Sequence, residues 1–295
     1  MRRRETKKRP PVSKLQELHQ PSRLSGLCFD TSGDMGKSLS PYGAVSRRQQ
    51  EAFHTKIRVI SLAPRRHTPR RLGKALNVNS FPMKHIEIDE IYQKTPLELI
   101  PWNIETPPAA LVALVDSRIV TPCRAIDLGC GVGNYAVWLA SRGFEVTGVD
   151  SAPTAIKRAT ENGTKKGVEC TFLVADVLGD LENVTGTFDF AYDWELLHHI
   201  FPEQRQRYVA NVHRLLNPKG KYLSLCFNER DPAFGGVGKY RRTPLGTVLY
   251  FSSEGELRAL FDSNFRILDL RTVEVHGKSA SHLASYCFME RKESP

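Results

Sequence analysis

Short apolar runs alternate with longer amphipathic stretches along the chain from Met83 onward. Runs of five to eleven residues rich in Val, Ile and Phe predict β-strands, and the amphipathic stretches between them predict helices. Regular alternation of the two predicts strand–helix units around a mostly parallel sheet. The predicted strands are RAIDL, FEVTGVD, CTFLVAD, FDFAYD, KYLSLCF, FRILDLRTVEV and ASYCFME.

Four segments between these strands carry a helical pattern, namely Tyr135–Arg142, Pro153–Lys166, Pro202–Leu216 and Ser252–Phe261. No helical pattern separates the last two strands, which predicts an antiparallel hairpin that closes the sheet. We therefore expect an α/β fold with a Rossmann-like, seven-stranded, mostly parallel sheet, helices on both faces and an antiparallel last strand. Residues 83–295 are expected to form this one domain.

The first 82 residues have a different composition. They hold 18 Lys and Arg against 5 Asp and Glu, whereas residues 83–295 hold 24 against 27, so the net charge of +10 belongs to this leader. A basic segment with little apolar periodicity predicts a disordered extension. Two alternatives stay open: a transit peptide, which would direct an otherwise cytoplasmic protein to an organelle, and a gene-start artefact with the natural start at Met83.

Composition excludes several other classes of protein. Hydrophobic residues make up 40% of the chain and charged residues 25%, which excludes a wholly disordered protein. No run of about 18 apolar residues occurs, so we expect no membrane partner. The near-neutral domain gives no sign of a nucleic-acid partner. The six cysteines form no CxxC pair, so we expect no metal site and a reducing compartment.

The strongest motif is AIDLGCGVGNYAVWLASRGFEVTGVD, in which a strand runs into a glycine-rich loop and then a helix. The loop glycines are Gly129, Gly131 and Gly133. Glycines permit a tight turn and let a ligand approach the backbone closely. The next strand ends at Asp150, 21 residues after Gly129, where a carboxylate suits the hydroxyls of a ribose.

Two cofactor classes use such a loop, and Asp127 distinguishes them. A dinucleotide site has the pattern G-x-G-x-x-G, whose last glycine would fall at Asn134. The observed pattern is D-x-G-x-G-x-G, and its Asp127 would repel a pyrophosphate but attract an ammonium group. The loop therefore favours S-adenosylmethionine over NAD.

The string DLGCGVGNYAVWLASRGFEVTGVD closely resembles the first two motifs of class I S-adenosylmethionine-dependent methyltransferases, and the resemblance runs from about Tyr92 to Lys292. It implies that the glycine loop wraps the methionine part of the cofactor. Asp127 would then reach the cofactor's amino group, and Asp150, followed by Ser151, would hold the ribose.

Two later motifs extend the resemblance. In VADV, Asp176 would accept from the adenine amino group with Val177 against the ring; the alternative for Asp176 is a helix N-cap. FDFAYDWELLHHI resembles the fourth-strand motif, which implies that Asp193 and Glu195 lie near the cofactor and Trp194 near the substrate.

Residues 83–122 are expected to form a lid. Their segment IYQKTPLELIPWNIETPP resembles the aromatic lid of thiopurine, thiol and halide methyltransferases. The resemblance implies that Tyr92 and Trp102 cover the cofactor and exclude water. The alternative is that both are core aromatics on a packing helix.

The substrate side offers fewer signals. His198 or His199 is a candidate general base, although either could instead pack against the sheet. The glycine-rich, basic insertion at residues 228–251 is expected to help form the substrate pocket. Its Arg230, Arg241 and Arg242 would hold a substrate carboxylate or phosphate, unless the insertion is simply a solvated loop.

These observations favour an enzyme that transfers a methyl group from S-adenosylmethionine to a small-molecule nucleophile, with sulfur, halide or oxygen as the attacking atom. A nucleic-acid or protein methyltransferase tethered by the basic leader is the alternative, although DWEL replaces the N/D-P-P-Y motif of base methylation. A non-catalytic cofactor-binding module is a second alternative. The presence of Asp127, Asp150 and Asp176 speaks against it.

Overall fold

A computed structural model describes residues 85–293 of the chain. The predicted basic leader, residues 1–82, lies outside the described residues, as does Met83. The described helices are α1 (His85–Lys94), α2 (Ala109–Asp116), α3 (Asn134–Ser141), α4 (Pro153–Lys166), α5 (Pro202–Leu215) and α6 (Glu254–Phe261). None of them is long and apolar enough to cross a membrane.

Nine strands complete this part of the chain: β1 (Arg124–Leu128), β2 (Glu145–Asp150), β3 (Cys170–Val174), β4 (Phe188–Trp194), β5 (Leu216–Phe227), β6 (Tyr240–Arg242), β7 (Val248–Tyr250), β8 (Phe265–His276) and β9 (Ser281–Arg291). Seven form one sheet in the order β3-β2-β1-β4-β5-β9-β8. Strands β1 to β5 are parallel, and β9 is antiparallel to both of its neighbours. The predicted fold, including the antiparallel last strand, is confirmed.

Helices cover both faces of this sheet because side chains alternate along each strand. On β4, Phe190 and Tyr192 face a cluster that contains residues of α2 and α3. Ala191, between them, faces the opposite cluster, which contains residues of α5 and α6. Because both faces of the sheet are covered, most positions of the parallel strands are apolar.

Most predicted boundaries hold within a few residues. Helix α4 has the predicted bounds, whereas α6 begins two residues later than predicted because Ser253 is its N-cap. The Ser253 side chain accepts from the Glu256 N–H, and the Glu256 carboxylate accepts from the Ser253 N–H. The β6–β7 ribbon was not predicted; the sequence indicated only a loop in the insertion.

The topology fixes where a ligand can bind. Strand β1 lies in the middle of the parallel strands, with β2 and β3 on one side and β4 and β5 on the other. The chain crosses over between these two sides, and at such a switch point the carboxyl ends of the strands leave a crevice.

Candidate active site

A cavity of about 210 Å³ opens at the carboxyl ends of β1 to β4. A single water needs only about 10–15 Å³ of such space, so the cleft accommodates an organic molecule. The predicted site residues that line it are Tyr92, Trp102, Asp127, Gly129, Gly131, Asp150, Ser151, Asp176, Val177, Trp194, Glu195 and His199.

The glycine loop forms the floor of the cleft. The N–H groups of Gly129 and Cys130 both donate to the Val149 carbonyl, at 2.8 and 2.9 Å, which ties the loop to β2. Gly131 has a left-handed φ of 52°, and a Cβ there would lie 2.8 Å from the Tyr92 hydroxyl. Any side chain at this position would therefore displace the tyrosine. Gly133 lies behind the cleft, where it is the N-cap of α3.

Asp127 brings a buried carboxyl to this floor, with only 3% of the residue exposed. Burial raises its pKa to about 7, even though the Tyr192 hydroxyl lowers it, and the charges of Asp150 and Asp193 raise it further. No Lys or Arg side chain lines the cleft among the residues that the structure describes. The carboxyl therefore lacks a cation there, and a positively charged ligand group would stabilise its ionised form.

Asp150 and Asp176 stand at the ends of β2 and β3. The Asp150 carboxylate accepts from the N–H groups of Gly131 and Ala152, each at 2.9 Å, so it also holds the glycine loop in place. Asp176 accepts from the Leu178 N–H at 2.9 Å and thereby closes a turn rather than capping a helix. Both line the cleft, and each carboxylate oxygen can accept more than one hydrogen bond.

Two aromatic rings from the predicted lid form the wall above. Tyr92 is 2% exposed, and its hydroxyl accepts from the Trp102 Nε1–H at 2.8 Å. The two rings meet edge to face, with centroids 6.2 Å apart. Helix α1 is fixed to the domain because the Asp89 carboxylate accepts from the Thr154 N–H near the start of α4, at 2.8 Å.

A chain of amides, which the sequence analysis missed, joins the lid to the glycine loop. The Asn134 side chain donates to the Asn103 side chain at 2.9 Å and to the Ile104 carbonyl at 3.1 Å. The Asn162 side chain donates to Asn134 at 3.1 Å and to the Val132 carbonyl at 3.2 Å. Asn134 occupies the position at which a dinucleotide loop has glycine, and this departure was the available signal.

At the end of β4 the backbone is unusual. Glu195 has φ 66°, in the left-handed region that non-glycine residues rarely adopt. Its N–H donates to the Leu225 carbonyl at 2.9 Å, which fixes the turn on β5. Its carboxyl lines the cleft and has no hydrogen bond or ion pair with the described residues, and burial alone raises its pKa to about 7.

The two histidines have separate environments. His199 lines the cleft, its Nδ1 has no partner among the described residues, and burial lowers its pKa to about 4. His198 is 2% exposed and stacks on Phe227 at 4.4 Å, so the prediction that it acts as a base needs correction because its ring packs under the site. Residues 85–293 contain no cluster of three His, Cys, Asp or Glu side chains that could hold a metal ion.

A buried arginine that sequence reasoning missed supports this segment. Arg205 of α5 donates to the carbonyls of Leu197 and Ile200, at 3.1 and 2.7 Å, on either side of the histidines. It also donates to the Ser252 hydroxyl at 2.8 Å. Arg205 thus joins the wall of the cleft to the segment that precedes α6.

Asp193 is a second correction. It was expected near the cofactor, but it is fully buried and does not line the cleft. Its carboxylate accepts from the Tyr208 hydroxyl at 3.0 Å and from the Tyr222 hydroxyl. Because side chains alternate along β4, Asp193 points to the helix α5 side, and it cannot share the environment of Trp194.

The arginines of the insertion are a third correction, since no residue of 228–251 lines the cleft. Arg241 is 3% exposed and donates to the carbonyls of Glu229, Asp231, Ala233 and Gly238, with its guanidinium 4.0 Å from the Phe251 ring centroid. Arg230 donates to Glu254 and Thr272, and Arg242 donates to the Gly246 carbonyl. These guanidinium groups hold the insertion together and do not line the cleft.

Comparison with known proteins agrees with this geometry. A family model described as a methyltransferase domain matches residues 125–220. The chain is 32% identical over 130 residues to the 2-heptyl-1-hydroxyquinolin-4(1H)-one methyltransferase of Mycobacteroides abscessus, across 44% of this chain and 56% of the relative. It is 31% identical over 173 residues to the ubiquinone biosynthesis O-methyltransferase of Xanthomonas oryzae pv. oryzae, across 54% and 72%.

A third relative and a solved structure are also similar to this chain. Thiocyanate methyltransferase 1 of Arabidopsis thaliana is 29% identical over 140 residues, which is 47% of this chain and 61% of that protein. A solved structure from work on the conversion of a disulfide bond into a thioacetal group during echinomycin biosynthesis has a TM-score of 0.60 and 26% identity. It covers 70% of this chain and 91% of its own. The match to the quinolone enzyme spans little more than half of that relative's length.

Proposed function

Since the chain belongs to the class I S-adenosylmethionine-dependent methyltransferases, we propose that it transfers the methyl group of this cofactor to a small-molecule nucleophile by in-line displacement. The observation that carries the proposal is the cleft itself. It combines a glycine-loop floor, three carboxylates at successive strand ends and an aromatic wall from the lid. We also propose that residues 83–295 are the domain responsible.

The residues of the cleft fit S-adenosylmethionine, which when bound supplies a methyl group on a positively charged sulfur. Asp127 has a buried carboxyl, and no Lys or Arg of the described residues lines the cleft beside it, as suits a partner for the ligand's ammonium group. Asp150 would hold the ribose hydroxyls beside Ser151. Asp176 and Val177 would hold the adenine at the end of β3.

Besides binding the cofactor, the protein must align the acceptor with the methyl group and exclude water from both. Tyr92 and Trp102 are hydrogen-bonded to each other and form one wall of the cleft, so they keep solvent from the reacting atoms. The face of a tryptophan also attracts a cation, which suits a sulfonium. The amide chain through Asn134 holds this wall against the glycine loop.

A small acceptor is favoured over a macromolecule for two reasons. The names of the three relatives describe methyltransferases that act on a hydroxyquinolone, in ubiquinone biosynthesis and on thiocyanate. In addition, the described part of the cleft offers no Lys or Arg to meet a phosphate backbone. A nucleic-acid or protein acceptor guided by residues 1–82 is the competing hypothesis.

The state of the cysteines bears on the cellular compartment. The five cysteines in the described residues are free thiols, as is usual in a reducing compartment, and we propose that the protein is cytoplasmic. Fusing residues 1–82 to a fluorescent reporter tests the transit-peptide alternative, which predicts import of the reporter into an organelle.

Calorimetric titration of the full chain with S-adenosylmethionine and with NAD tests the cofactor. We expect binding of the first alone. A panel of thiols, halides, phenols and carboxylic acids, assayed for S-adenosylhomocysteine release, then tests the acceptor. Turnover of at least one member supports the proposal. A chain that binds the cofactor but methylates only RNA, DNA or protein would contradict it.

A further inference from the structure

The topology divides the cleft into two halves. On the proposed function, the cofactor lies across the ends of β1, β2 and β3, where Asp127, Asp150 and Asp176 stand. Strand β4 pairs with β1 on the opposite side from β2. The space at the end of β4 is therefore left for the acceptor, next to the methionine part of the cofactor.

The acceptor half is aromatic and apolar, with few polar groups. Its apolar lining consists of Tyr135, Trp194, Leu196, Ile200 and Phe201. Tyr135 and Trp194 meet edge to face, with centroids 6.4 Å apart. The polar lining consists of Glu195, His199 and Gln204. Such a surface fits a flat organic molecule that offers one or two hydrogen-bonding groups.

The ionisable side chains with which the described residues line the cleft are mainly carboxyls. Asp127, Asp150, Asp176 and Glu195 line it, and no Lys or Arg of the described residues does. His199 adds no positive charge at neutral pH, because burial lowers its pKa to about 4. An anionic acceptor in this half would therefore meet the Glu195 carboxyl, and no Lys or Arg of the described residues lines the cleft to offset that contact, apart from the bound cofactor itself.

Glu195 is held at the centre of this half under strain. A left-handed φ is costly for a glutamate, and such strain is retained where the surrounding structure imposes it, often at functional sites. The hydrogen bond from its N–H to Leu225 fixes the backbone, yet its carboxyl has no partner among the described residues. A partly buried carboxyl that faces a cleft and has no hydrogen-bond partner there is placed to accept a hydrogen bond from a ligand.

We propose that Glu195 binds the acceptor and takes up its proton, and that the acceptor is a neutral, flat molecule with an ionisable O–H or N–H group rather than a small inorganic anion. This assignment rests on the proposed function and narrows it. It also changes the predicted role of Glu195 from cofactor contact to acceptor contact.

The step balances with groups already present. A lone pair on the acceptor's oxygen or nitrogen forms the new bond to the methyl carbon, while the carbon–sulfur bond breaks and its electron pair stays on sulfur. The acceptor's proton passes to a carboxylate oxygen of Glu195 and leaves to solvent after product release. A base works best with a pKa near the working pH, and burial raises the pKa of Glu195 to about 7.

The first test compares Glu195→Gln with wild type in the full chain, using 2-naphthol, 4-nitrophenol and thiocyanate as acceptors. Glutamine keeps the shape but cannot take the proton. We expect turnover of 2-naphthol to fall by about 10²–10⁴-fold, with unchanged affinity for S-adenosylmethionine. The loss should be much smaller for 4-nitrophenol, because its hydroxyl is far more acidic and depends less on a base to take up its proton. Glu274→Gln, on the exposed outer strand β8, is the matched control and should behave as wild type.

The pH profile separates a base from an anion-binding acid. At saturating S-adenosylmethionine, which removes the contribution of Asp127 to the pH dependence, kcat/KM for 2-naphthol rises with pH up to about 7 and then levels if Glu195 takes up the proton. This limb should be absent in Glu195→Gln. If the carboxyl instead had to be protonated to admit an anion, activity with thiocyanate would fall as pH rises through the same range.

Two readouts do not depend on turnover. Calorimetry with S-adenosylhomocysteine present should show 2-naphthol, and not thiocyanate, binding to wild type, with weaker naphthol binding to Glu195→Gln. Glu195→Gly removes the strain, so its thermal midpoint should equal or exceed that of wild type while turnover is lost. A residue with a purely structural role would lower the midpoint instead.

The outcomes distinguish the two proposals. If the protein binds S-adenosylmethionine but methylates no small molecule, the proposed function fails, and the binding comparison decides the role of Glu195. If thiocyanate is the better acceptor, or Glu195→Gln keeps naphthol turnover within threefold of wild type, the proposed function stands and the assignment of Glu195 is overturned.

Discussion

The two halves of the cleft differ in whether their charged side chains line the cleft or are hydrogen-bonded inside the fold. In the half where we place the cofactor, Asp127 lies near the end of β1, Asp150 is the last residue of β2 and Asp176 comes two residues after β3, and all three line the cleft. On the acceptor side, the charged residues predicted for the site differ in position. Glu195 faces the cleft, whereas Asp193 and Arg241 are hydrogen-bonded inside the fold. The type of a residue therefore does not by itself identify a binding group. The local backbone must also fix the direction in which its side chain points.

The largest expected effect is on the free energy of unfolding, and it tests whether the role of Arg241 is structural. Arg241→Ala leaves four backbone carbonyls without their donor and should lower the free energy of unfolding by about 3 kcal/mol. Arg242→Ala, next to it and more exposed, should change it by less than about 0.5 kcal/mol. Chemical denaturation of both variants checks this. A substrate-binding role for Arg241 would instead raise KM at unchanged stability.

A somewhat smaller effect tests the cofactor half. Asp150→Ala removes a carboxylate that holds the glycine loop and is expected to hold the ribose, so cofactor affinity should weaken by about 1.5–3 kcal/mol. Glu161→Ala, on the exposed face of α4, is the control. Calorimetric titration measures both. Unchanged affinity in Asp150→Ala would remove this residue from the site.

The two regions also differ in how far the sequence predicted them. The mostly parallel sheet with its antiparallel last strand, the glycine loop and the carboxyls near strand ends were predictable because each depends on local sequence pattern. The buried state of Asp193 depends on hydroxyls from Tyr208 and Tyr222, 15 and 29 residues away along the chain. Likewise, the carbonyls that occupy Arg241 belong to a turn that only the folded insertion brings together. No short-range pattern encodes such partners.

The charge of Asp127 offers a pH test of the cofactor half. Its pKa is raised to about 7 without ligand, and a bound ammonium group should lower it. Binding should then release a proton, and affinity should rise up to about tenfold per pH unit below 7 and level above it. Titrations in buffers of different ionisation enthalpy measure the release. Asp127→Asn should bind more weakly and lose this dependence; a dependence of opposite sign would contradict the assignment.

The smallest expected effect concerns the lid. Trp102→Phe and Tyr92→Phe each remove one end of the 2.8 Å hydrogen bond, and each should weaken cofactor affinity by about 1 kcal/mol. Because both changes break the same contact, the double variant should lose less than the sum. Additive losses would mean that the two rings act independently.

The most direct measurement is a crystal structure of the full chain with S-adenosylhomocysteine and 2-naphthol. We expect the adenine beside Asp176 and Val177, the ribose hydroxyls on Asp150, and the naphthol oxygen between the cofactor's sulfur and the Glu195 carboxyl. A cofactor that lies across the end of β4, or a naphthol oxygen that contacts no atom of Glu195, would contradict the division of the cleft into these two halves.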